Sequence, residues 1–436
     1  MNKNEMLKMV CAHKVAEVFE PLYNAALVDD EARAVLLAVL RSSCSMYLLQ
    51  EHEDMMCREA HGGCALMQYV WGRYLYIVRA DSSSKEEAKT MLQDAAAAGV
   101  ADARSCLSCW WRDGESGVVD REKYIVELER AIAEGSQLAL QLRMEAMIYG
   151  YAGVERDPRA AFDELERYID EAERGDGYMD PRFYLYLAHA AKETGRDTLS
   201  ASLYKKAFDE GVPEACLPLL LVTACDSEGK VIDKTTFNDI VTRGMERNYG
   251  EAFVYHMFSV SEDDYAAMSP EAQRKTTEEM TAMMTEAARL GEPLGAYMMA
   301  DNHYYGSYGF EQDCEKAWSW YSVAAMQRLG LAYWALSQMI AAHDAPKNYD
   351  MEFMHECELR ALRYGCDDAL ANVVIAHTQG YLKDYTEEID RYYAPIFDAE
   401  EEDRHKNGGD NADDDEDFPY DDDDSPDDDG RFDPYV

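Results

Sequence analysis

The chain has little positive charge and no long apolar run, and each absence excludes a class of function. It contains 42 Lys and Arg residues against 86 Asp and Glu residues, which gives a net charge of −44. Nucleic-acid phosphates and anionic membrane surfaces are bound by clustered positive charge, so we expect the chain to bind neither. Its longest apolar run, from Ala215 to Cys225, contains Pro218 and is too short to span a bilayer.

The pattern of a secretory signal is also missing. Such a signal needs an unbroken apolar stretch followed by small residues at a cleavage site, whereas Lys8, His13 and Lys14 interrupt the first residues. We therefore expect a cytoplasmic protein. The eleven cysteines, odd in number and irregularly spaced, fit reduced thiols that mostly behave as small buried apolar side chains.

Motifs for metal binding and catalysis are absent or incomplete. Cys106-Leu-Ser-Cys109 is the only C-x-x-C, and no second close pair of Cys or His follows at the spacing of a zinc site. The sequence has no H-E-x-x-H, no phosphate-binding G-x-x-x-x-G-K-[ST] and no G-x-S-x-G. We expect no metal, no cofactor and no enzymatic activity.

What the sequence does contain is a regular glycine interval. The first four of these glycines are 36, 40 and 36 residues apart, and the last two are 74 residues apart, which is two intervals of 37. An amphipathic, alanine-rich stretch ends at each glycine and a second apolar stretch follows it. A repeat of this length predicts stacked helix pairs rather than one globular core. The six glycines are Gly99, Gly135, Gly175, Gly211, Gly291 and Gly365.

Glycine suits these sites because a helix can end in the left-handed conformation at low cost when no Cβ is present. The interval also predicts three further sites, at Gly62, Asn248 and Arg328. Asparagine is the next-best residue for that conformation. Arginine is a poor one, so we expect backbone strain or local remodelling at Arg328.

Two stretches, Ala300 to Ala325 and Met147 to Ala161, combine a glycine turn with a capping aspartate. The first contains Gly306, Gly309 and Asp313, and the second contains Gly150, Gly153 and Asp157. An aspartate at the start of a helix accepts hydrogen bonds from the free backbone N–H groups of the first turn. These stretches resemble the Sel-one-like repeat (SLR) family, α/α solenoids related to tetratricopeptide arrays with units of roughly 36–44 residues.

The resemblance implies an all-α fold, a right-handed α/α superhelical solenoid of about eight helix pairs. We predict N-terminal helices or a cap over residues 1–49, the repeat array over 50–385 and the end of a closing helix over 386–397. The last 39 residues, 398–436, carry 19 Asp and Glu residues against three Lys and Arg. That composition predicts a disordered acidic tail.

The resemblance also implies a function, because SLR proteins are mostly adaptors without shared catalytic residues. We expect a scaffold that presents a concave groove to a protein or peptide partner. In related arrays the first helix of each pair lines the concave face. On that analogy the predicted partner contacts are Tyr124, Arg167, Tyr204 and Trp318.

Two alternatives stay open at this stage. The acidic body and tail could act as an electrostatic decoy or chaperone for a basic, nucleic-acid-binding partner. One branch of the family is secreted, rich in cysteine and recognises β-lactams, and Cys57 and Cys64 resemble its bridged cysteine pairs. The sequence leaves the identity of the partner and the oligomeric state undetermined.

Overall fold

The computed structural model describes residues 3–79, 82–113, 120–175, 177–258, 265–385 and 389. The chain divides into two compact units. Unit 1 comprises Met1–Asp226 and Val231–Leu329, and unit 2 comprises Ser227–Lys230 and Gly330–Val436. The boundary falls inside the stretch that we predicted as one array. The predicted segments 386–397 and 398–436 lie outside the described residues, apart from Ile389.

Among the described residues the regular elements are helices, and the only extended pairing is an isolated antiparallel bridge between Cys225 and Val231. The predicted all-α class is therefore confirmed. No described helix is long and apolar enough to cross a membrane. The first part of unit 1 contains α1 (Lys3–Cys11), α2 (Val15–Ala26), α3 (Asp30–Val39), α4 (Ser43–Tyr47), α5 (Glu53–His61), α6 (Ala65–Tyr74), α7 (Ser82–Ala97), α8 (Ala101–Arg112), α9 (Arg121–Ala133) and α10 (Gln137–Tyr149).

The second part of the chain also contains a few single-turn helices. The remaining helices of unit 1 are α11 (Pro158–Arg174), α12 (Arg182–Glu193), α13 (Asp197–Asp209), α14 (Cys216–Ala224), α15 (Lys234–Glu246), α16 (Gly250–Phe258), α17 (Pro270–Arg289), α18 (Pro293–Tyr305) and α19 (Cys314–Met326). Unit 2 contains α20 (Gly330–Ala341), α21 (Met351–Arg363) and α22 (Leu370–Thr378).

In unit 1, α5 to α19 pack as a stack of helix pairs, in which each helix contacts the next along the chain. The second helices of neighbouring pairs also contact each other: α6 with α8, α8 with α10, α10 with α12, α14 with α16, and α16 with α18. Second neighbours come within reach only on the inner side of a curved stack. On this argument the second helices of these pairs lie towards the inner side, whereas the analogy with related arrays predicted the first helices there.

The predicted helix caps are present. The Asp157 carboxylate accepts a hydrogen bond from the backbone N–H of Ala160 at 2.8 Å, and Asp313 accepts one from Lys316 N–H at 3.0 Å. Each carboxylate satisfies one backbone donor that would otherwise have no partner in the first turn of its helix. The adjoining turn glycines, Gly150, Gly153, Gly306 and Gly309, all have φ between 66° and 84°.

The turns at the regular interval mostly have the expected backbone. Gly99, Gly135, Gly211, Gly291 and Gly365 have φ between 82° and 101°. Asn248 and Arg328 also lie in the left-handed region, at φ 59° and 67°. The strain expected at Arg328 is thus present, and its guanidinium forms an ion pair of 3.2 Å with Asp113.

Two interval sites differ from the prediction. Gly175 is extended, with φ −89° and ψ 173°. The connection from Arg174 to Arg182 is longer than a three-residue turn, so the chain can reverse there with Gly175 itself in the extended conformation. At the first site Gly62 has φ −69°, and the next residue, Gly63, has φ 87°. The helix there ends one residue later than the interval predicts.

Unit 2 has a small apolar core of its own. It is built around Leu359, Leu362 and Val373, which are at most 3% exposed. The helices α20 and α21 approach very closely, since a Cβ at Gly330 would lie 2.6 Å from the carbonyl oxygen of Tyr364. Only glycine fits at the start of α20.

Candidate interaction surface

In unit 1 the turns that join the two helices of each pair form one surface. We call it the turn face. It is covered by residues 3–49, the N-terminal segment, which contains α1 to α4. Six turns from α7 to α18, and Gln327 just after α19, contact this segment. The predicted N-terminal helices therefore run along the array instead of lying only at its end.

Arg41 is the strongest anchor of the N-terminal segment. Its guanidinium donates to Asp102 Oδ2 at 3.0 and 3.1 Å, to Asp180 Oδ2 at 2.6 Å and to Gln137 Oε1 at 3.3 Å. The side chains of Arg41, Asp102 and Asp180 are 4%, 3% and 0% exposed. One arginine thus joins three successive helix pairs, since these acceptors lie at the starts of α8, α10 and α12.

The carboxylates around Arg41 have further partners. Ser136 Oγ donates to Asp102 Oδ1 at 2.6 Å, and the backbone N–H of Arg182 donates to Asp180 Oδ1 at 3.0 Å. Burial alone would raise the pKa of Asp180, but the charges of Arg182 and Arg41 outweigh it and hold that pKa below its usual value. The network is satisfied, as a buried ionic cluster must be to persist.

Two other arginines fix the backbone of the N-terminal segment. Arg182 donates to the carbonyl of Ala38 at 3.1 Å, and Arg73 donates to the carbonyl of Arg41 at 3.0 Å. The Ala38 carbonyl lies in the last turn of α3 and the Arg41 carbonyl lies just beyond the end of that helix. At a helix end the carbonyls lack their full set of intrahelical partners. The array therefore binds the C-terminal end of a helix with guanidinium groups, which also suits the negative end of the helix dipole.

Each of the turns that follow Arg182 along the chain makes few contacts with the N-terminal segment, and most of these contacts involve backbone atoms. Asn248 Nδ2 donates to the carbonyl of Ala12 at 2.9 Å. A Cβ at Gly211 would lie 3.1 Å from Cys11 Cα, and one at Gly291 would lie 3.1 Å from the Cys44 carbonyl oxygen. The Cys44 thiol donates to Gln327 Oε1 at 3.5 Å. Close approach without a side chain explains why glycine occupies two of these turns.

Two clefts separate the N-terminal segment from the turn face. The first, of about 440 Å³, lies between Leu37 and the turns at Gly99 and Gly135. The second, of about 770 Å³, lies between Val15 and Tyr47 of the segment and Leu290, Met299 and Trp320 of the array. The segment therefore does not fill the turn face completely.

A carboxylate lies near the start of the second helix in five of the pairs. These turn-face carboxylates are Asp102, Asp180, Glu214, Glu251 and Glu292. Burial raises the pKa of Glu292 to about 7, and burial with the charges of Glu292 and Glu214 raises the pKa of Glu251 well above its usual value. The three glutamates also help burial to raise the pKa of the Cys44 thiol. Their charges therefore act on the N-terminal segment itself.

The structure places only part of the predicted partner-binding set at the surface. Tyr124 and Tyr204 are both 0% exposed. They fill the spaces between neighbouring helices, which is where large aromatic side chains stabilise a stack most. Neither ring can contact a partner. Arg167 is exposed and Trp318 is partly exposed, and both lie on first helices, away from the turn face.

The other candidate chemistry is not assembled. All eleven cysteines are free, including Cys57 and Cys64. Cys106 of the C-x-x-C accepts a hydrogen bond from Arg73 at 3.4 Å, and burial raises its pKa to about 11. Within the part of the chain that the structure describes, no group of three or more His, Cys, Asp or Glu could hold a metal ion.

Sequence reasoning missed Arg41 and its partners, although a signal was present. Arg41 is the only charged residue between Ala34 and Gln50, an otherwise apolar stretch with a few small polar residues. A lone charge in an apolar helical stretch predicts a buried ion pair. Nothing in the sequence pairs it with Asp102 and Asp180, which are 61 and 139 residues away.

No protein-family model matches the sequence, and no curated protein matches it. Several solved structures are similar to it, including the following two. One is c5321, a protective antigen present in uropathogenic Escherichia coli strains and displaying an SLR fold; it is 20% identical over 78% of this chain and 73% of that chain, with a TM-score of 0.34. The other is a Sel1 repeat protein from Oxalobacter formigenes, 21% identical over 75% of this chain and 92% of that chain, with a TM-score of 0.35. Both neighbours are SLR proteins, the family that this sequence resembles.

Proposed function

We propose that the chain is a non-catalytic scaffold that holds a protein or peptide partner. The observation that supports this function is the convergence of successive turns of unit 1 on one helical segment. Side chains from several pairs, chiefly Asp102, Gln137 and Asp180, bind that segment through one arginine. A stack of repeats that already binds a helix in this way has the chemistry of an interaction surface.

The alternative of a β-lactam-recognising enzyme has less support. It would require bridged cysteine pairs, whereas Cys57 and Cys64 are free. Burial raises the pKa of Cys44 and Cys216 well above the usual thiol value. Such thiols are poor nucleophiles, because the thiolate is the reactive form. Free thiols also fit the cytoplasm, where we place the scaffold.

The acidic decoy differs from the scaffold in its dependence on salt. A partner attracted by diffuse negative charge would be released at moderate ionic strength, because exposed charges are screened over about 10 Å at 0.1 M salt. A partner held by buried anchors would resist it. The two functions can therefore be separated by elution.

The test is a capture from native lysate with two baits, the full chain and a chain ending at Phe397, eluted with stepped salt. A partner that both baits retain at high salt supports the scaffold. Its direct binding to the purified full chain would then be measured by calorimetry. A partner lost on truncation or at modest salt supports the decoy. If neither bait retains any protein beyond that retained by an unrelated helical-repeat bait, the scaffold function is wrong.

A further inference from the structure

The larger cleft of unit 1, of about 770 Å³, has the size of a small-molecule site. Its walls come from the start of α2, from the end of α4 with the single turn after it, and from α17, α18 and α19 of the array. Sites for small molecules are typically clefts of about 300–1,000 Å³ with a mostly apolar lining and a few placed polar groups. A molecule bound in this cleft would contact both the N-terminal segment and the array.

Much of the cleft is lined by apolar side chains. Val15, Leu290 and Met299 are 3%, 4% and 7% exposed. The rings of Tyr47 and Trp320, which also line the cleft, are half-buried. Aromatic rings favour offset-stacked or edge-to-face contact with another ring. The lining therefore suits a ligand with an aromatic body.

The cleft also contains one buried polar atom that has no partner. His13 lines the cleft and is only 8% exposed, and its Nε2 forms no hydrogen bond. Among the described residues, the other buried side-chain atoms without a partner, such as Tyr69 Oη and Arg73 Nε, belong to residues that line neither cleft. Leaving a buried polar atom unpaired costs free energy, which a ligand in the cleft can recover with one hydrogen bond.

The smaller cleft offers no comparable atom. Its polar lining includes Arg41, Asp102 and Gln137, which already hydrogen-bond with one another or with neighbouring residues of the array. Binding of a ligand there would not complete an unpaired buried group. The two clefts therefore differ in the one feature that indicates a ligand.

His13 determines which polar group fits the larger cleft. Burial lowers the pKa of His13 to about 4, so the imidazole is neutral at neutral pH. A neutral imidazole has one donor nitrogen and one acceptor nitrogen, and a hydroxyl group can pair with either. A hydroxyl group on the ligand therefore complements Nε2 in both tautomers.

The charged residues at the rim of the cleft favour an uncharged ligand. Lys14 is paired with Glu17 at 3.7 Å, and Arg289 is paired with Glu286 at 2.6 Å. Both cations are exposed and already have carboxylate partners, so neither provides a strong site for an anion. The carboxylate of Glu51, also at the rim, is exposed to water that screens its charge.

We propose that this cleft binds an uncharged aromatic alcohol, with its aromatic body against Leu290, Met299 and Trp320 and its hydroxyl group on Nε2 of His13. The bound molecule would fasten the N-terminal segment to the array, because His13 belongs to the segment and Trp320 to the array. This site is separate from the partner-binding function proposed above, so either one can fail without the other.

The first measurement is a calorimetric titration of the full chain with 2-naphthol, an aromatic alcohol. We expect one saturable site with a Kd on the order of 0.1–1 mM, as suits a ligand of about eleven non-hydrogen atoms. Two analogues with the same rings and a charged group, 2-naphthoate and 2-naphthylmethylammonium, should bind at least about tenfold more weakly. Equal or tighter binding of either charged analogue, or no saturable binding of 2-naphthol below about 5 mM, would overturn the site.

Variants locate the bound molecule. Thr285→Trp introduces a large side chain at an exposed position of α17 that lines the cleft, and it should abolish binding. The matched control is Thr242→Trp, at an exposed position of α15 that does not line the cleft, and it should bind as wild type does. Undiminished binding to Thr285→Trp would place the ligand elsewhere and overturn the site.

The hydrogen bond is tested by His13→Gly. Glycine adopts the left-handed backbone of this position, where φ is 51°, without strain. The affinity for 2-naphthol should fall about tenfold, because the variant lacks the hydrogen bond to the hydroxyl group. Unchanged affinity would overturn the role of His13.

A spectrum of the wild-type chain decides the question if a variant unfolds. Long-range proton–nitrogen NMR of the ten histidines should show the largest shift at the ring nitrogens of His13 when 2-naphthol is added. An unchanged His13 signal at saturation would overturn the site. Saturable binding only in the chain that ends at Phe397 would mean that residues 398–436 fill the cleft, and it would also overturn the small-molecule site. None of these results affects the lysate capture, which tests the scaffold function alone.

Discussion

Replacing Arg41 with methionine tests most directly how the N-terminal segment is held. The change removes donors at 3.0 and 3.1 Å from Asp102, at 2.6 Å from Asp180 and at 3.3 Å from Gln137. It keeps most of the apolar volume of the side chain. It leaves two buried carboxylates without the cation between them.

The expected loss of stability depends on the hydrogen-bond and ion-pair partners that Asp102 and Asp180 retain in the variant. Breaking a buried ion pair from one side costs about 3–5 kcal/mol. Asp102 keeps its bond from Ser136 at 2.6 Å, and Asp180 keeps the Arg182 N–H at 3.0 Å and the Arg182 guanidinium at 3.5 Å. We therefore expect a loss at the lower end, about 3 kcal/mol in the free energy of unfolding of unit 1.

The assay is urea unfolding. Hydrogen exchange of α8 and α12 identifies the unfolding transition of unit 1, because two compact units can unfold separately. The control is Arg58→Met, whose side chain is 70% exposed beside Glu59, so its loss should stay below about 0.5 kcal/mol. The triple variant Arg41→Met/Asp102→Asn/Asp180→Asn should lose less than Arg41→Met alone. Either of two results would refute a buried ionic anchor: a loss below about 1 kcal/mol for Arg41→Met, or a larger loss of stability in the triple variant than in Arg41→Met.

Further predictions concern the turns and the buried titratable groups. In urea unfolding, Gly211→Ala should destabilise unit 1 by about 2 kcal/mol and Gly135→Ala by about 1 kcal/mol. Both glycines have positive φ, but only at Gly211 would the added Cβ lie 3.1 Å from Cys11 Cα. Equal losses of stability would contradict the close contact with Cys11. Arg328→Gly should stabilise unit 1 by about 0.5–1 kcal/mol, because glycine adopts the left-handed backbone without strain. The ion pair with Asp113 that is lost contributes little, since the arginine side chain is 44% exposed. A net loss of stability would show that this ion pair contributes more than the backbone strain costs. The pKa of Glu292 is raised from 4.5 to about 7, so this side chain takes up a proton on folding between these values. Relative to Glu292→Gln, the unfolding free energy of wild type should therefore fall as pH rises through that window in a series of urea curves. The pKa of His13 is lowered from 6.5 to about 4, so its contribution has the opposite sign. Relative to His13→Gln, wild type should lose stability as pH falls from 6.5 towards 4.

The sequence predicted the units of the fold because their signals are local. A left-handed residue ends a helix whatever surrounds it, so the interval located Asn248 and Arg328 without any glycine present. A capping carboxylate acts within three residues of its own position, so Asp157 and Asp313 were recognisable. The failures at Gly62 and Gly175 have a local cause too, since a one-residue shift or a longer connection removes the need for glycine at that site.

From its acidic charge the sequence also predicted that the chain binds neither nucleic acid nor an anionic membrane surface. It did not indicate which residues are exposed. Tyr124 and Tyr204 have the composition of interface anchors but fill the stack, because exposure depends on the neighbouring helix pair and not on the residue itself.

The sequence by itself thus determined the helices, their caps and most of their turns, since each is stabilised by residues within a few positions. Only the tertiary structure decided that residues 3–49 cover the turn face, because that arrangement depends on contacts between residues far apart in the chain. Arg41 meets Asp180 across 139 residues, and Ala12 meets Asn248 across 236. Hydrogen bonds and ion pairs of that kind carry no periodic signature, so no pattern along the chain records them.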